Sequence, residues 1–149
     1  MAEATEITFE VDGPPVPQPR PRVSTWGGRG RAYTPAKHAI NGYREAIVLL
    51  ARSAGWSSGK ALGPVSVEVD CYFPRPPSHL TKAGTVRASA PSWPPRADVD
   101  NLAKGILDAI TDSGVFWADD DQVVDLQIRK AYSRPGAGGR TIITVRRVR

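Results

Sequence analysis

Apolar and polar residues alternate in four segments of the chain, as they do in strands with one buried face. These segments are 6–11, 64–73, 123–132 and 141–145. The second is the clearest, because every other residue from Val65 to Phe73 is apolar. The run 134–139 is rich in glycine and predicts a turn. We therefore expect the last two strands to pair as a hairpin.

Apolar residues at helical spacing predict a first helix between the first two strands. Thr34 and Pro35 form a favourable start, because a hydroxyl side chain caps well and proline suits the first helical position. The helix is expected to end near Ser53, where Gly55 supplies the C-terminal signal.

A second helix is predicted from about Asn101 to Ser113, with Asp100 or Asn101 as its N-cap and Gly114 at its end. The element order is then β-α-β-α-β-β. This order predicts an α+β fold, in which two main helices pack on a small mixed sheet that is mainly antiparallel.

Length and composition narrow the class of protein. The 149 residues suggest a single domain over residues 1–149. The one cysteine, Cys71, lies in the second strand and is expected in the core. No apolar run approaches the roughly 18 residues of a membrane span, and residues 1–13 do not have the pattern of a secretory signal. We expect a soluble cytoplasmic protein with no membrane partner.

The net charge of +5 is unevenly distributed. A basic arm at 14–33 and a basic, proline-rich loop at 75–97 contain no acid, whereas residues 98–125 hold eight of the fifteen acids. Basic surfaces attract phosphates, while concentrated carboxylates repel them unless a cation intervenes. The pattern favours metal-assisted chemistry on a nucleic acid, although a solvated helix end and loop would produce it as well. The candidate DNA contacts are Arg20, Arg22, Arg29, Arg31, Arg75, Lys82, Arg87 and Arg96.

Asp98-Val99-Asp100 is the first candidate for chemistry. In an extended segment both carboxylates would point to one site and Val99 would face the core. Hard cations such as Mg²⁺ prefer one or two carboxylates together with phosphate and water. A D-x-D pair alone also fits an N-cap followed by a solvated acid, with no function.

A second acidic cluster, Asp119-Asp120-Asp121, directly precedes the third strand. The helix between the clusters is about 20 Å long, so they meet if the chain returns beside the second strand. Lys104 follows Asp100 by one helical turn. Its ammonium group is a candidate for contact with a scissile phosphate, and the alternative is an ordinary ion pair along the helix.

Two longer runs carry a family resemblance. Residues 98–110 read DVDNLAKGILDAI and residues 115–125 read VFWADDDQVVD. They resemble the RusA family of Holliday junction resolvases, which has a D-x-D-N-L-x-K helix followed by D-D-x-Q-V. Segments 17–22, 31–35 and 75–79 are similar to the longer, phage-borne members, so a bacterial host and a phage or prophage origin are expected.

The resemblance implies a homodimeric endonuclease that makes symmetric nicks in four-way DNA junctions. It implies Mg²⁺ as the cofactor, for which Mn²⁺ substitutes. Carried over by position, the catalytic set is Asp98, Asp100, Asp120 and Lys104. The metal ligands are the same three acids with Asp119, although the spacing leaves the choice among residues 119–121 open, and Lys130 joins the DNA contacts.

Two other functions remain compatible with the sequence. One is a less selective Mg²⁺-dependent nuclease. The other is a non-catalytic, basic nucleic-acid-binding module, which has no use for paired carboxylates. The sequence offers no recognisable Ser/His or Cys/His arrangement for nucleophilic catalysis.

Overall fold

A computed structural model describes residues 5–19, 22–24, 30–33, 38–56 and 63–148, with the backbone alone at 22–24 and 31–33. The strands are β1 Glu6–Asp12, β2 Arg22–Ser24, β3 Arg31–Tyr33, β4 Val65–Phe73, β5 Val123–Tyr132 and β6 Arg140–Arg147. The helices are α1 Ala39–Ser53 and α2 Val99–Ser113, with 3₁₀ turns at Pro77–His79 and Asp120–Gln122.

The main sheet has the strand order β1-β6-β4-β5. β6 runs antiparallel to both of its neighbours, and β5 runs parallel to β4. The predicted α+β fold with a mainly antiparallel mixed sheet is therefore confirmed. A separate two-stranded sheet pairs β2 with β3 inside the basic arm.

The predicted hairpin between β5 and β6 is wrong, because β4 lies between them. Burial explains the order. β6 contributes the fully buried Ile143 and Val145 and takes an inner position, whereas β5 leaves Val124 and Leu126 exposed at the edge. A parallel β4–β5 pair needs a long crossover, and α2 supplies it. β5 thus returns beside β4, which was the condition given above for the two acidic clusters to meet.

α1 begins at Ala39 and not at the predicted Thr34–Pro35, which lies outside the described residues. His38 is the N-cap, and its Nδ1 accepts a hydrogen bond from the Ile40 amide at 3.0 Å. The His38 ring therefore caps α1, which was the role expected of the Thr34 hydroxyl. The predicted end at Ser53 is confirmed.

α2 begins at Val99, two residues before the predicted start, and its N-cap is Asp98 in place of Asp100 or Asn101. The D-x-D run is therefore only partly extended: Asp98 keeps extended backbone angles as the N-cap, while Val99 and Asp100 belong to the helix. The expectation that Val99 faces the core is wrong, because this residue is 40% exposed. The predicted end at Gly114 is confirmed, and this glycine has a φ of 71°.

The core joins the helices to one face of the sheet and anchors the segment before the acidic turn. Phe116 and Trp117 are fully buried. The ring of Phe116 stacks on that of Phe9, with 5.9 Å between the ring centroids. It forms a T-shaped contact with Trp56, with 5.3 Å between the centroids. Cys71 is buried in the same core, as predicted, and burial raises the pKa of its thiol to about 12. Among the described residues, no helix has the length and apolar character needed to cross a membrane.

Candidate active site and nucleic-acid interface

The 3₁₀ turn Asp120–Gln122, with its N-cap Asp119, forms a rigid acidic turn at the start of β5. The Asp119 carboxylate accepts a hydrogen bond from the Asp121 amide at 3.1 Å. The Gln122 side-chain oxygen accepts from the amides of Ala118 and Asp119 at 2.8 and 3.2 Å. Its amide nitrogen donates to the Gly63 carbonyl at 3.0 Å, which ties the turn to the chain before β4. One glutamine therefore fixes the backbone that carries three exposed acids.

Asp120 is the most electrostatically crowded of these acids. A hydrogen bond with the Asp119 side chain raises the pKa of Asp120, and partial desolvation and repulsion by Asp119, Asp108 and Asp121 raise it further. Because Asp108 belongs to α2, the helix contributes to the electrostatic environment of the acidic turn. A carboxylate in such surroundings is stabilised by a cation placed beside it.

α2 presents a charged stripe towards solvent. Asp100, Lys104 and Asp108 follow one another at intervals of four residues, which is about 6 Å along the axis per step. The Lys104 ammonium lies 3.7 Å from the Asp108 carboxylate and is largely exposed. The stripe thus connects the D-x-D end of α2 to the part of the helix beside the acidic turn, with one cation at its centre.

The described residues contain no group of three or more acidic, histidine or cysteine side chains arranged to hold a metal ion. Lys104 contacts Asp108, and Asp108 is near enough to the acidic turn to help raise the pKa of Asp120. The described contacts do not bring Asp98 and Asp100 to Asp120, because the start of α2 lies about 12 Å along the axis from Asp108. The predicted convergence of these three acids on one ion therefore stays a prediction.

The D-x-D segment has a contact at its base that the sequence did not suggest. Lys130 on β5 donates a hydrogen bond from its ammonium to the Ala97 carbonyl at 2.6 Å. Ala97 is buried and directly precedes Asp98, the N-cap of α2. The predicted DNA contact Lys130 is thus half-buried beneath the segment that leads into the helix.

Arg75 holds the basic loop against the end of β5. Its guanidinium lies 4.2 Å from the centre of the Tyr132 ring and donates to the Pro91 carbonyl at 2.9 Å. The rings of His79 and Tyr132 form a T-shaped contact, with 5.5 Å between their centroids. Arg75 is therefore half-buried, and its guanidinium already makes contacts within the protein. These contacts suit a structural role as well as a contact with DNA.

The remaining cations of this loop point outward. Lys82, Arg87 and Arg96 are all exposed. Trp93 lies between them in sequence and is 60% exposed. Exposed cations with an aromatic ring among them suit the backbone and the unpaired bases of a nucleic acid.

The basic arm is fastened to α2 where it begins. The Gln18 amide donates to the Asn101 carbonyl at 3.0 Å. The Gln18 side chain packs over Gly105, where a Cβ added to the glycine would lie 3.5 Å from the Gln18 oxygen. That oxygen is buried and has no hydrogen-bond partner within the described part of the chain. Arg20, Arg29 and the side chains of Arg22 and Arg31 lie outside the described residues.

Sequence reasoning missed three of these contacts and the effect of Asp108 on Asp120. The contacts Gln122–Gly63, Lys130–Ala97 and Gln18–Asn101 join residues far apart along the chain, and no local pattern announces them. Asp108 had a signal, because it follows Lys104 by four residues. Its effect on Asp120 depends on the return of β5.

Comparison with known proteins gives consistent matches. A model of the family described as Endodeoxyribonuclease RusA matches residues 12–146. The "Uncharacterized protein YqaN" of Bacillus subtilis (strain 168) is 38% identical over 135 residues, which are 85% of this chain and 88% of that protein. The "Crossover junction endodeoxyribonuclease RusA" of Escherichia coli (strain K12) is 31% identical over 117 residues, which are 78% of each chain.

Proposed function

The chain belongs to the RusA family of endodeoxyribonucleases, and we propose that it resolves four-way DNA junctions by paired symmetric nicks during recombination and repair. The observation that carries the proposal is the juxtaposition of the acidic turn with the Lys104–Asp108 pair of α2. Acids that can hold a metal ion, next to an exposed lysine, suit the metal-assisted hydrolysis of a phosphodiester.

The donor set fits a hard cation such as Mg²⁺, with Mn²⁺ as a substitute. The residues that would hold it are Asp98, Asp100, Asp120 and Asp119. All four are exposed carboxylates, and the Asp98 side chain makes no capping hydrogen bond that would compete. When bound, such an ion supplies Lewis acidity and lowers the pKa of a bound water.

Asp120 is the favoured ligand within the acidic turn. The Asp119 carboxylate is engaged by the Asp121 amide, and the pKa of Asp120 is raised by that neighbour first and by the surrounding charges afterwards. A bound cation relieves the repulsion on Asp120 more than on a solvated acid. Asp119 is then the weaker of these two ligands and also shapes the turn.

Lys104 carries the positive charge that the chain itself offers to the reacting phosphate. Its Nζ is exposed, and Asp108 restrains it at 3.7 Å. Attack by water forms a P–O bond and breaks the bond from phosphorus to the 3′-oxygen, which leaves a 5′-phosphate and a 3′-hydroxyl. Lys104 stabilises the charge that develops on the non-bridging oxygens during this step.

The substrate is proposed to be held through its backbone by the exposed cations Lys82, Arg87 and Arg96, because phosphate contacts are independent of sequence. A four-way junction offers two equivalent strands. A two-fold symmetric homodimer matches that symmetry and nicks both.

A less selective Mg²⁺-dependent nuclease is the second candidate, since backbone contacts alone do not distinguish branched from linear DNA. A four-way junction, a flap and a linear duplex should be compared at one salt and one Mg²⁺ concentration. We expect preferential nicking of the junction at paired positions. Equal rates on all three substrates would overturn junction resolution, and no cleavage of any of them would overturn nuclease activity.

A further inference from the structure

Lys130 occupies an unusual position for a lysine. It pairs in register with the buried Cys71 of β4 and lies on the sheet face that the helices cover. Its side chain is half-buried, and its ammonium is directed to the Ala97 carbonyl at 2.6 Å. Burying an ammonium group costs free energy unless the group is paired. The position of Lys130 therefore calls for a structural or functional explanation.

The contact acts at the base of the D-x-D segment. Ala97 is 5% exposed and directly precedes Asp98. Asp98 is the N-cap of α2 but makes no side-chain capping hydrogen bond. The first turn of α2 is therefore not fastened by its own cap, and Lys130 fastens the preceding peptide from β5.

The charges at the N-terminus of α2 also connect Lys130 with Asp98 and Asp100. The N-terminus of a helix carries partial positive charge, so an ammonium group beside it is unfavourable by itself. Asp98 and Asp100 supply the compensating negative charge at that end of α2.

The surroundings of Lys130 differ from those of the outward-facing cations. Lys82 and Arg87 are exposed on the basic loop, while Lys130 is half-buried and hydrogen-bonded within the protein. A phosphate would have to compete with Ala97 for its ammonium group. A DNA contact is therefore the weaker explanation of its position.

We propose that Lys130 is a positioning residue for the metal site: by holding the Ala97 carbonyl, it sets the direction in which Asp98 and Asp100 present their carboxylates. This inference rests on the proposed function and replaces the DNA contact expected for Lys130. Loss of a partner that orients metal ligands typically lowers metal affinity or activity about 10- to 100-fold.

The test compares full-length Lys130→Met and Lys130→Arg with Lys82→Met as the matched control. Mn²⁺ binding is measured without DNA by electron paramagnetic resonance, junction affinity in EDTA, and nicking as a function of Mg²⁺ concentration. For Lys130→Met we expect Mn²⁺ affinity and nicking to fall about 10-fold or more with junction affinity within about twofold. Lys130→Arg keeps donors near Ala97 and should retain more Mn²⁺ affinity, whereas Lys82→Met should weaken only junction binding.

Two results would overturn the inference: unchanged Mn²⁺ affinity in Lys130→Met, or a loss of junction affinity as large as its loss of nicking. The thermal melting curve shows whether each variant is folded, and Lys130→Arg is the variant to use if Lys130→Met unfolds. A wild-type protein that binds Mn²⁺ but cuts no branched DNA would overturn the proposed function, and the Mn²⁺ measurement would still decide the role of Lys130.

Discussion

On α2, the Lys104 ammonium lies 3.7 Å from the carboxylate of Asp108, one turn further along the helix. Asp108 in turn contributes to the raised pKa of Asp120, after the hydrogen bond with the Asp119 side chain and partial desolvation. Along α2, Lys104 therefore lies between the D-x-D end of the helix and the part of it beside the acidic turn. We expect Lys104 to be restrained by Asp108 in the free protein and to act on phosphate in the complex.

Lys104→Met should slow nicking by about 10²- to 10³-fold, because it removes a charge that stabilises the transition state. Junction affinity should change little, since the exposed cations of the basic loop remain. Single-turnover nicking and equilibrium binding, measured with Lys104→Arg as the charge-preserving control, separate the two effects. Nicking at the wild-type rate by Lys104→Met would remove Lys104 from the active site.

The raised pKa of Asp120 predicts a specific dependence of stability on pH. Between the usual pKa of an aspartate and the raised value, the folded state binds more protons than the unfolded state. The free energy of unfolding contributed by this group therefore falls as pH rises through that window. Thermal melts in EDTA should therefore show Asp120→Asn gaining stability relative to the wild type as pH rises through that window.

The same pKa predicts how metal binding responds to pH. A cation competes with the proton on Asp120, so Mn²⁺ affinity should rise as pH increases through the raised pKa. Asp112→Asn is a suitable control, because Asp112 lies on α2 but is exposed and pairs with Arg44. A pH profile of Mn²⁺ affinity that is identical in wild type and Asp120→Asn would contradict this role for Asp120.

Gln122 should matter for activity through the shape of the acidic turn. Gln122→Ala removes the hydrogen bonds to Ala118, Asp119 and Gly63, at a cost of about 1–2 kcal/mol in stability. Nicking should fall by more than the small unfolded fraction explains, because the carboxylates lose their fixed spacing. Gln127→Ala, at an exposed position of β5, should leave both properties unchanged. Unaltered nicking by folded Gln122→Ala would show that the turn needs no such bracing.

Gln18 offers a prediction about stability. Its side-chain oxygen is buried without a hydrogen-bond partner among the described residues, which costs about 1–3 kcal/mol compared with a satisfied group. Gln18→Met keeps the length of the side chain and removes that oxygen. The melting temperature should therefore rise, while Gln127→Met should leave it unchanged. A lower melting temperature for Gln18→Met would mean that the oxygen has a stabilising role.

Much of the fold could be predicted because its signals are local. The alternation in β4 and the helical spacing in α1 and α2 reflect burial on one face of each element, and this pattern is carried by consecutive residues. Cys71 was expected in the core for the same reason, and it is buried. The acidic turn was located correctly because it directly precedes a recognisable strand.

The errors and omissions are non-local. The position of β6 between β1 and β4 depends on which strand buries more apolar surface against the helices, so a turn-like sequence after β5 gave the wrong partner. The start of α2 at Val99, with Asp98 as its N-cap, was missed because Asp100 and Asn101 are equally good capping residues. The hydrogen bond from Lys130 to Ala97 spans 33 residues, and no spacing rule reaches that far.

The central claim is that carboxylates from α2 and from the acidic turn serve one metal-dependent nicking reaction. The most direct measurement is the Mg²⁺-dependent nicking of a labelled four-way junction by Asp100→Asn and Asp120→Asn, with Asp112→Asn as control and junction affinity measured in parallel. The account predicts that both variants lose nicking while they still bind the junction, and that Asp112→Asn behaves as the wild type. Nicking at the wild-type rate by either Asp100→Asn or Asp120→Asn would contradict it.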